Sequence, residues 1–495
     1  MKKPIFIIIF VLLATFIQAQ TKNVFLGRDF WKSNPTIDKV EQKINEGNSA
    51  TALNSNGFDA VVYAILEKAP NTVIKHLLTK KGNDVNKLTH DKRTYIFWAA
   101  YKGNIELIKH LLNHNARLDV KDSHHFSPLT FAAVAGQTDT RIYDLFIKNG
   151  IDIKSDVDEK GANALLLLIG HLKDFKVVDY FVRKGLDLNS TDHYGNGAFN
   201  YTAYKGNKTM LELLIKKGLP YKDESSNGDN AILAATIGSR GGYNPLSFIK
   251  YLEGLGINPN VSNKDGITPL HNISYNNKDL AVYNYFIDKG VNVNQQDKYG
   301  NTPLINAAGR NSFEVIKLLA SKTKNINVSN KNGESALTKS IRNKPEVVQF
   351  LLEKGAKTSI IDKNGNNLSY YLFKTFHSKN LKDFQKKLTL LKAKGLVINT
   401  PQKDGNTLYH LAVKKQSIPM LDFIKQYPIN INVKNKNGLT ALQQAVMTAK
   451  NDKIIKYLIT EGANKTVKTD FDETLYDLAK ENEALKNTDI NFLKP

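Results

Sequence analysis

The sequence predicts an all-α repeat solenoid, a stack of helix-turn-helix units linked by β-hairpin turns. Three observations predict it. The phrase Asp265-Gly266-Ile267-Thr268-Pro269-Leu270 returns as Tyr299-Gly300-Asn301-Thr302-Pro303-Leu304, 34 residues later by its glycine. The same turn position recurs at Gly57, Lys92, His125, Gly161, Gly195, Gly228, Gly266, Gly300, Gly333, Gly365, Gly405, Gly438 and Asp472, at spacings of 32 to 40 residues, most of them 33 or 34. Between the turns, apolar residues fall at i, i+3, i+4, as in Ile105, Ile108, Leu111 and Leu112, the period of an amphipathic helix. A fixed period of this length is the mark of stacked repeats.

The chain opens on a leader. Met1-Lys2-Lys3 is a basic start, Ile5 to Ile17 an apolar run of 13 residues, and Ala19 the last residue before a cleavage point. That run is short for a membrane span and has the pattern of an export signal. Residues 1–19 are therefore expected to be removed, leaving a protein outside the cytoplasm with no transmembrane segment. The periplasm is preferred to the medium, because no sorting domain or lipid-accepting cysteine follows.

Residues 20–54 lack the repeat phrase. Lys39 to Glu46 reads as a helix with Val40 and Ile44 on one face and Gly47 as its stop, a segment fit to cover the first repeat. The array proper spans residues 55–469. In most units the turn glycine supplies positive φ. A Thr-Pro pair, as in Thr268-Pro269 and Thr302-Pro303, then caps and starts the first helix. Small pairs such as Ala99-Ala100, Ala132-Ala133 and Ala307-Ala308 let helices approach, and Gly103-Asn104, Gly136-Gln137 and Gly206-Asn207 break the first helix from the second. The second helix ends on Gly150, Gly185, Gly218, Gly290, Gly355 or Gly462, where a left-handed C-cap belongs.

Departures from the pattern carry expectations of their own. Lys92, His125 and Asp472 stand where glycine is preferred, so those turns should be strained or remodelled. Insertions around Gly241–Pro245 and Phe376–Asn380 fall between the two helices of a unit and should protrude without breaking the stack. Residues 470–495 hold a partial repeat and cap, with Leu475, Leu478 and Ala479 on its last helix. No Gly/Ser- or Pro-rich linker interrupts the array, so one continuous domain is expected.

Period, Thr-Pro-Leu-His at Thr268–His271, small pairs and Gly-Asn break together resemble the ankyrin repeat. The resemblance covers about 420 residues, or thirteen units with the last partial. It implies that the chain binds a protein partner on a concave face formed by turn tips and exposed inner-helix positions, as a non-enzymatic module. It also implies that His271, and His410 in the aligned Thr407-Leu408-Tyr409-His410, hold turns to helices.

Carried onto this chain, the binding face shows a lysine ladder. Two places before the turn glycine stand Lys264, Lys298, Lys331, Lys363, Lys403 and Lys436, where earlier units have Ser55, His90, Ser123, Glu159, His193 and Ser226. Solubility accounts for such lysines as readily as recognition of an acidic partner. Aromatics accompany them: Tyr101 and Tyr204 after the small pairs, and Phe126, Tyr194 and Tyr299 beside turns, residues that give contact area at low entropy cost. Trp98 and Phe131 match core positions.

Charge points the same way. Lys and Arg outnumber Asp and Glu by 69 to 47, for a formal +22, yet only eight of the basic residues are Arg, the preferred fork for phosphate and base edges. An acidic protein partner is thus expected ahead of an anionic envelope polymer or nucleic acid, which remains the alternative, with a monomer as the working state. Catalysis finds little footing. Cysteine is absent, which removes thiolate nucleophiles and disulfides. No Gly-x-Ser-x-Gly elbow is present, and Gly206-Asn207-Lys208-Thr209 sits at an ordinary inter-helix break. His110 and His114 are four apart but lack the Glu of a zinc-protease helix. A weak metal-dependent hydrolase through His90, His114 and His124 is the least favoured reading, beside solvated surface histidines such as His125. No cofactor or metal is assigned.

Overall fold

The computed structural model describes residues 23–239 and 241–494. The leader expected over residues 1–19 lies outside the described residues. The chain forms two compact units that divide between Leu219 and Pro220.

The first unit opens with the short helices Val24–Leu26, Arg28–Lys32 and Ile37–Asn45. The expected helix from Lys39 begins two residues earlier because Thr36 caps it, its hydroxyl accepting from the Lys39 amide at 3.3 Å. Trp31 is fully buried and its indole N–H donates to the Phe25 carbonyl at 2.9 Å. This segment packs on the first pair, Ala60–Leu66 and Asn71–Leu78. Pairs Tyr95–Tyr101 with Ile105–Asn113, Pro128–Val134 with Thr140–Lys148, Ala164–Ile169 with Lys176–Arg183, and Ala198–Tyr204 with Lys208–Lys216 follow.

The second unit repeats the scheme from Ala231–Ala235 and Leu246–Gly254 to Ala441–Thr448 and Lys453–Thr460, and closes with Leu475–Glu481, Glu483–Leu485 and Asn491–Leu493. Within each unit, inner helices pack on inner helices and outer on outer. The pair Pro303–Ala308 and Phe313–Lys322 shows why. Thr302 caps the first helix through the Ile305 amide at 3.3 Å, with Pro303 at its first position. Ala307 and Ala308 are fully buried, so the neighbouring inner helices can close on them. Val315, Ile316 and Leu319 are fully buried along one side of the second helix, each contributing about 1.5–3 kcal/mol relative to exposure. Both insertions lie between the two helices of a pair: Gly241–Pro245 before Leu246–Gly254, and Phe376–Asn380 before Leu381–Ala393.

The turns are short. No strand occurs among the described residues, where isolated bridges such as Val157–Asn163, Ser329–Ser335 and Ile361–Asn367 stand beside turns. A main-chain pair closes the turn, the Asn263 amide donating to the Ile267 carbonyl at 3.1 Å, and a side chain reinforces it. Asn263 Oδ1 accepts from the amides of Asp265 (3.1 Å) and Ile267 (2.9 Å), while Gly266, at φ +73°, donates to the Asn263 carbonyl at 2.8 Å. Asp122, Asp192, Asp297, Asn330, Asp362 and Asn435 close their turns in the same way. The short Asx side chain adds to the main-chain closure of the turn. Where glycine is missing, the backbone keeps the left-handed conformation: Lys92, His125 and Asp472 have φ of +61°, +60° and +63°. At Asp91 (φ +55°) and Lys92 two consecutive residues adopt it, so this turn alone of the three is remodelled.

Candidate binding face

Successive turns of the second unit are joined by main chain at the ladder position. The amide of Lys264 donates to the Asn227 carbonyl at 2.8 Å and that of Lys298 to Asp265 at 2.6 Å. Lys331 donates to Tyr299 at 2.8 Å, and Lys363 to Asn332, Lys403 to Gly365 and Lys436 to Asp404, each at 2.9 Å. The backbone thus sets the six residues in register, one repeat apart, and all six side chains are exposed. Lys298 Nζ reaches back to the Asp265 carboxylate at 2.9 Å, which holds its pKa above the ordinary lysine value, and lies 5.3 Å from the centre of the Tyr299 ring. The stem of Lys403 covers Gly365, where a Cβ would collide with it.

Sequence reasoning missed a second row. At the ends of the inner helices of the same unit stand Arg310, Arg342, Lys374 and Lys414, all exposed. Arg310 donates to the Tyr275 hydroxyl at 2.8 Å and its guanidinium lies 5.4 Å from the centre of that ring. The signal was available: in four successive units a cation stands nine or ten places after the turn glycine.

The five aromatics divide between the two units. In the first unit, Tyr101 is 41% exposed and stacks on Phe131 at 5.8 Å, and Phe126 meets the same ring at 6.4 Å. Phe131 itself is buried, with the Arg93 guanidinium 4.3 Å from its centre. Tyr194 is 44% exposed beside its turn, and the half-buried Tyr204 has the Lys205 ammonium 5.3 Å from its ring. Tyr299 stands in the second unit beside the lysine ladder, 60% exposed.

Trp98 is buried as expected. Its indole N–H donates to the Thr89 hydroxyl at 2.8 Å, tying the inner helix to the residue that closes the turn. Tyr201 does this to Asp192 at 3.0 Å and Tyr371 to Asp362 at 2.5 Å, while the Tyr63 hydroxyl accepts from Asn54 at 3.1 Å. An aromatic nine places after the turn-closing residue was the overlooked signal. His271 and His410 link helices to turns: Nδ1 accepts from the amides of Thr268 (3.2 Å) and Thr407 (3.1 Å), and Nε2 donates to the carbonyls of Asn301 (3.1 Å) and Leu439 (3.0 Å).

The three histidines of the hydrolase reading do not converge. His90 and His124 lie 3.3 and 3.6 Å from the Asp91 carboxylate, which Arg93 also engages at 3.1 Å. His114 sits at the end of an outer helix, with Nδ1 2.7 Å from the His110 carbonyl and its ring centre 4.2 Å from that of His110. No group of three or more His, Cys, Asp or Glu fit to hold a metal ion occurs among the described residues. At Gly206–Thr209, Asn207 caps its helix through the Met210 amide (3.1 Å) and donates to the carbonyls of Gly170 and Leu172. These are structural contacts. Among the described residues no helix is long and apolar enough to cross a membrane.

The family model for ankyrin repeats in three copies matches residues 61–157, 237–330, 275–364 and 376–469. The chain belongs to the ankyrin-repeat family. Over 52% of its length it is 24% identical to an NAD-dependent deacetylase of Dictyostelium discoideum, covering 32% of that protein. It is 25% identical over 33% of its length to a palmitoyltransferase of Lachancea kluyveri, and 26% identical over 36% to an ankyrin repeat protein of Neurospora crassa, covering 22% and 16% of them. The chain therefore spans less than a third of each of these relatives. As an ankyrin-repeat array it is a protein–protein interaction module.

Proposed function

We propose that this ankyrin-repeat protein acts outside the cytoplasm as a non-enzymatic binding module, and that the turn edge of its second unit recognises an acidic protein. One observation carries the reading: six exposed lysines set in register by a main-chain hydrogen bond per repeat. Stacked helices advance about 8–10 Å per layer, close to the Debye length of ~8 Å at physiological salt. Neighbouring lysines therefore reinforce one another partly, and a partner gains by meeting several at once. The leader-like residues 1–19 support export, and the periplasm is the compartment proposed.

The test is affinity capture from envelope extract with the chain from residue 20, beside a variant with Lys264, Lys298, Lys331, Lys363, Lys403 and Lys436 changed to Gln and shown by circular dichroism to stay helical. Recovery of one acidic protein by the parent and not by the variant is expected. Equal recovery by both would remove the ladder from the function and turn attention to Tyr101, Phe126, Tyr194 and Tyr204. The net charge of +22 favours a second reading, an anionic envelope polymer. Binding indifferent to partner sequence and lost steeply with salt would mark it.

A further inference from the structure

We propose that the segment held along the lysine ladder is an extended acidic peptide in the polyproline II conformation, with a carboxylate at every third residue. This rests on the reading of the ladder as the contact for an acidic protein, and adds its register. The six amides each donate to the preceding turn at 2.6–2.9 Å, so the lysine Cα atoms advance with the repeats, at about 8–10 Å per layer. A polyproline II segment has three residues per turn and rises ~3.1 Å per residue. Residues i, i+3 and i+6 therefore lie on one side, ~9.3 Å apart. A β-strand places same-face residues ~6.7 Å apart, and a helix repeats its face about every 5.4 Å or, by heptads, ~10.5 Å. The strand falls out of step after one repeat, and the heptad drifts steadily over the five intervals from Lys264 to Lys436.

The edge also matches the rest of such a segment. Polyproline II carbonyls are free of internal hydrogen bonds, and next to the lysines stand Asn332, Asn364 and Asn437, exposed amides able to donate to them. Proline rings dock on aromatic faces, and Tyr299 at 60% and Tyr275 at 54% exposure provide them within the same unit. Arg310, Arg342, Lys374 and Lys414 extend the positive potential beyond the first row. Six positions at this pitch take roughly 16 residues of partner.

Fluorescence anisotropy on the purified full chain tests the register. The probes are labelled peptides of six Glu-Pro-Pro units, six Glu-Pro units and six Gln-Pro-Pro units, the first two equal in glutamate. The Glu-Pro-Pro peptide is expected to bind at least about tenfold tighter than the Glu-Pro peptide, from several exposed charge pairs engaged together. The advantage should vanish in the six-Gln variant and shrink in the milder Lys331→Gln, Lys363→Gln double variant. Equal binding of the two acidic peptides, weakened alike by the substitutions, would overturn the register and leave the acidic partner standing. Neither peptide exceeding the Gln-Pro-Pro control would overturn both. Inorganic polyphosphate displacing the Glu-Pro-Pro peptide at lower charge concentration than the peptide itself would overturn the proposal in favour of an anionic polymer.

Discussion

His410 Nε2 stands 3.0 Å from the carbonyl oxygen of Leu439, joining the start of one inner helix to the turn of the next repeat. One repeat later Gln443 occupies the same place. Its Oε1 accepts from the Thr440 amide at 2.9 Å, but its amide nitrogen is buried without a partner. The matching carbonyl, that of Glu473, receives only the Thr469 amide at 3.0 Å among the described residues. Gln443→His is therefore expected to stabilise the chain by about 0.5–1.5 kcal/mol, the net worth of one hydrogen bond. The urea midpoint reads it, with His410→Ala expected to move the other way by ~1–3 kcal/mol.

Acid should loosen the second unit through His271 and His410. Burial holds both pKa values below the ordinary 6.5, against a smaller opposing effect of the carbonyls of Asn301 and Leu439. The neutral ring is the one that fits, since Nδ1 must accept from a backbone amide. Below pH about 6.5 the unfolded chain takes up protons first, so stability is full above that pH and falls as the pH drops toward the folded values. Urea midpoints at pH 7.5 and 5.5 should show a smaller acid loss when both histidines are replaced by Gln. An unchanged slope would assign the loss to other groups.

In the first unit, Asp59 is fully buried. Its carboxylate meets Lys87 Nζ at 2.8 Å, accepts from the Tyr95 hydroxyl at 2.7 Å and caps the first inner helix through the Val62 amide at 3.0 Å. Asp59→Ala would leave the Lys87 ammonium, 15% exposed, with no counter-charge. A loss of about 3–5 kcal/mol is expected from breaking such a pair. Tyr95→Phe, which removes one hydroxyl, should cost only ~1 kcal/mol.

Turn positions give opposite predictions at two sites. His125 holds φ +60°, which costs a side chain about 1–2 kcal/mol, part of which glycine loses through its freer unfolded chain. His125→Gly should raise stability by about 0.5–1 kcal/mol. Gly365→Ala should lower it by more, since φ is +82° and the new methyl would strike the Lys403 stem. Thermal melts of the two single variants would show the two signs.

Much of the fold was legible because each repeat states its own rules. Turn, Thr-Pro start, small pair and break are local, and their spacing placed the helix pairs and both insertions. Contacts between repeats were harder to read. The Lys403 stem over Gly365, Arg310 on Tyr275 and the unpaired nitrogen of Gln443 depend on how one layer is set on the next, a register that no single repeat spells out. The turn-closing Asp and Asn residues were overlooked for a different reason. They stand three places before the turn glycine, and their role lies in a side-chain bond to amides that follow, which the glycine pattern does not mark. The six ladder lysines were visible as a pattern, while Arg310, Arg342, Lys374 and Lys414 form a shorter run, nine or ten places after the turn glycine in four units.

The link between turns is an amide donating to a carbonyl, made by Ser123 and His193 in the first unit as by lysine in the second. It makes no demand on the side chain it carries. The charge of this edge can therefore change by point substitution while the pitch of the turns is inherited unchanged, so descendants of this chain could reverse its sign without refolding.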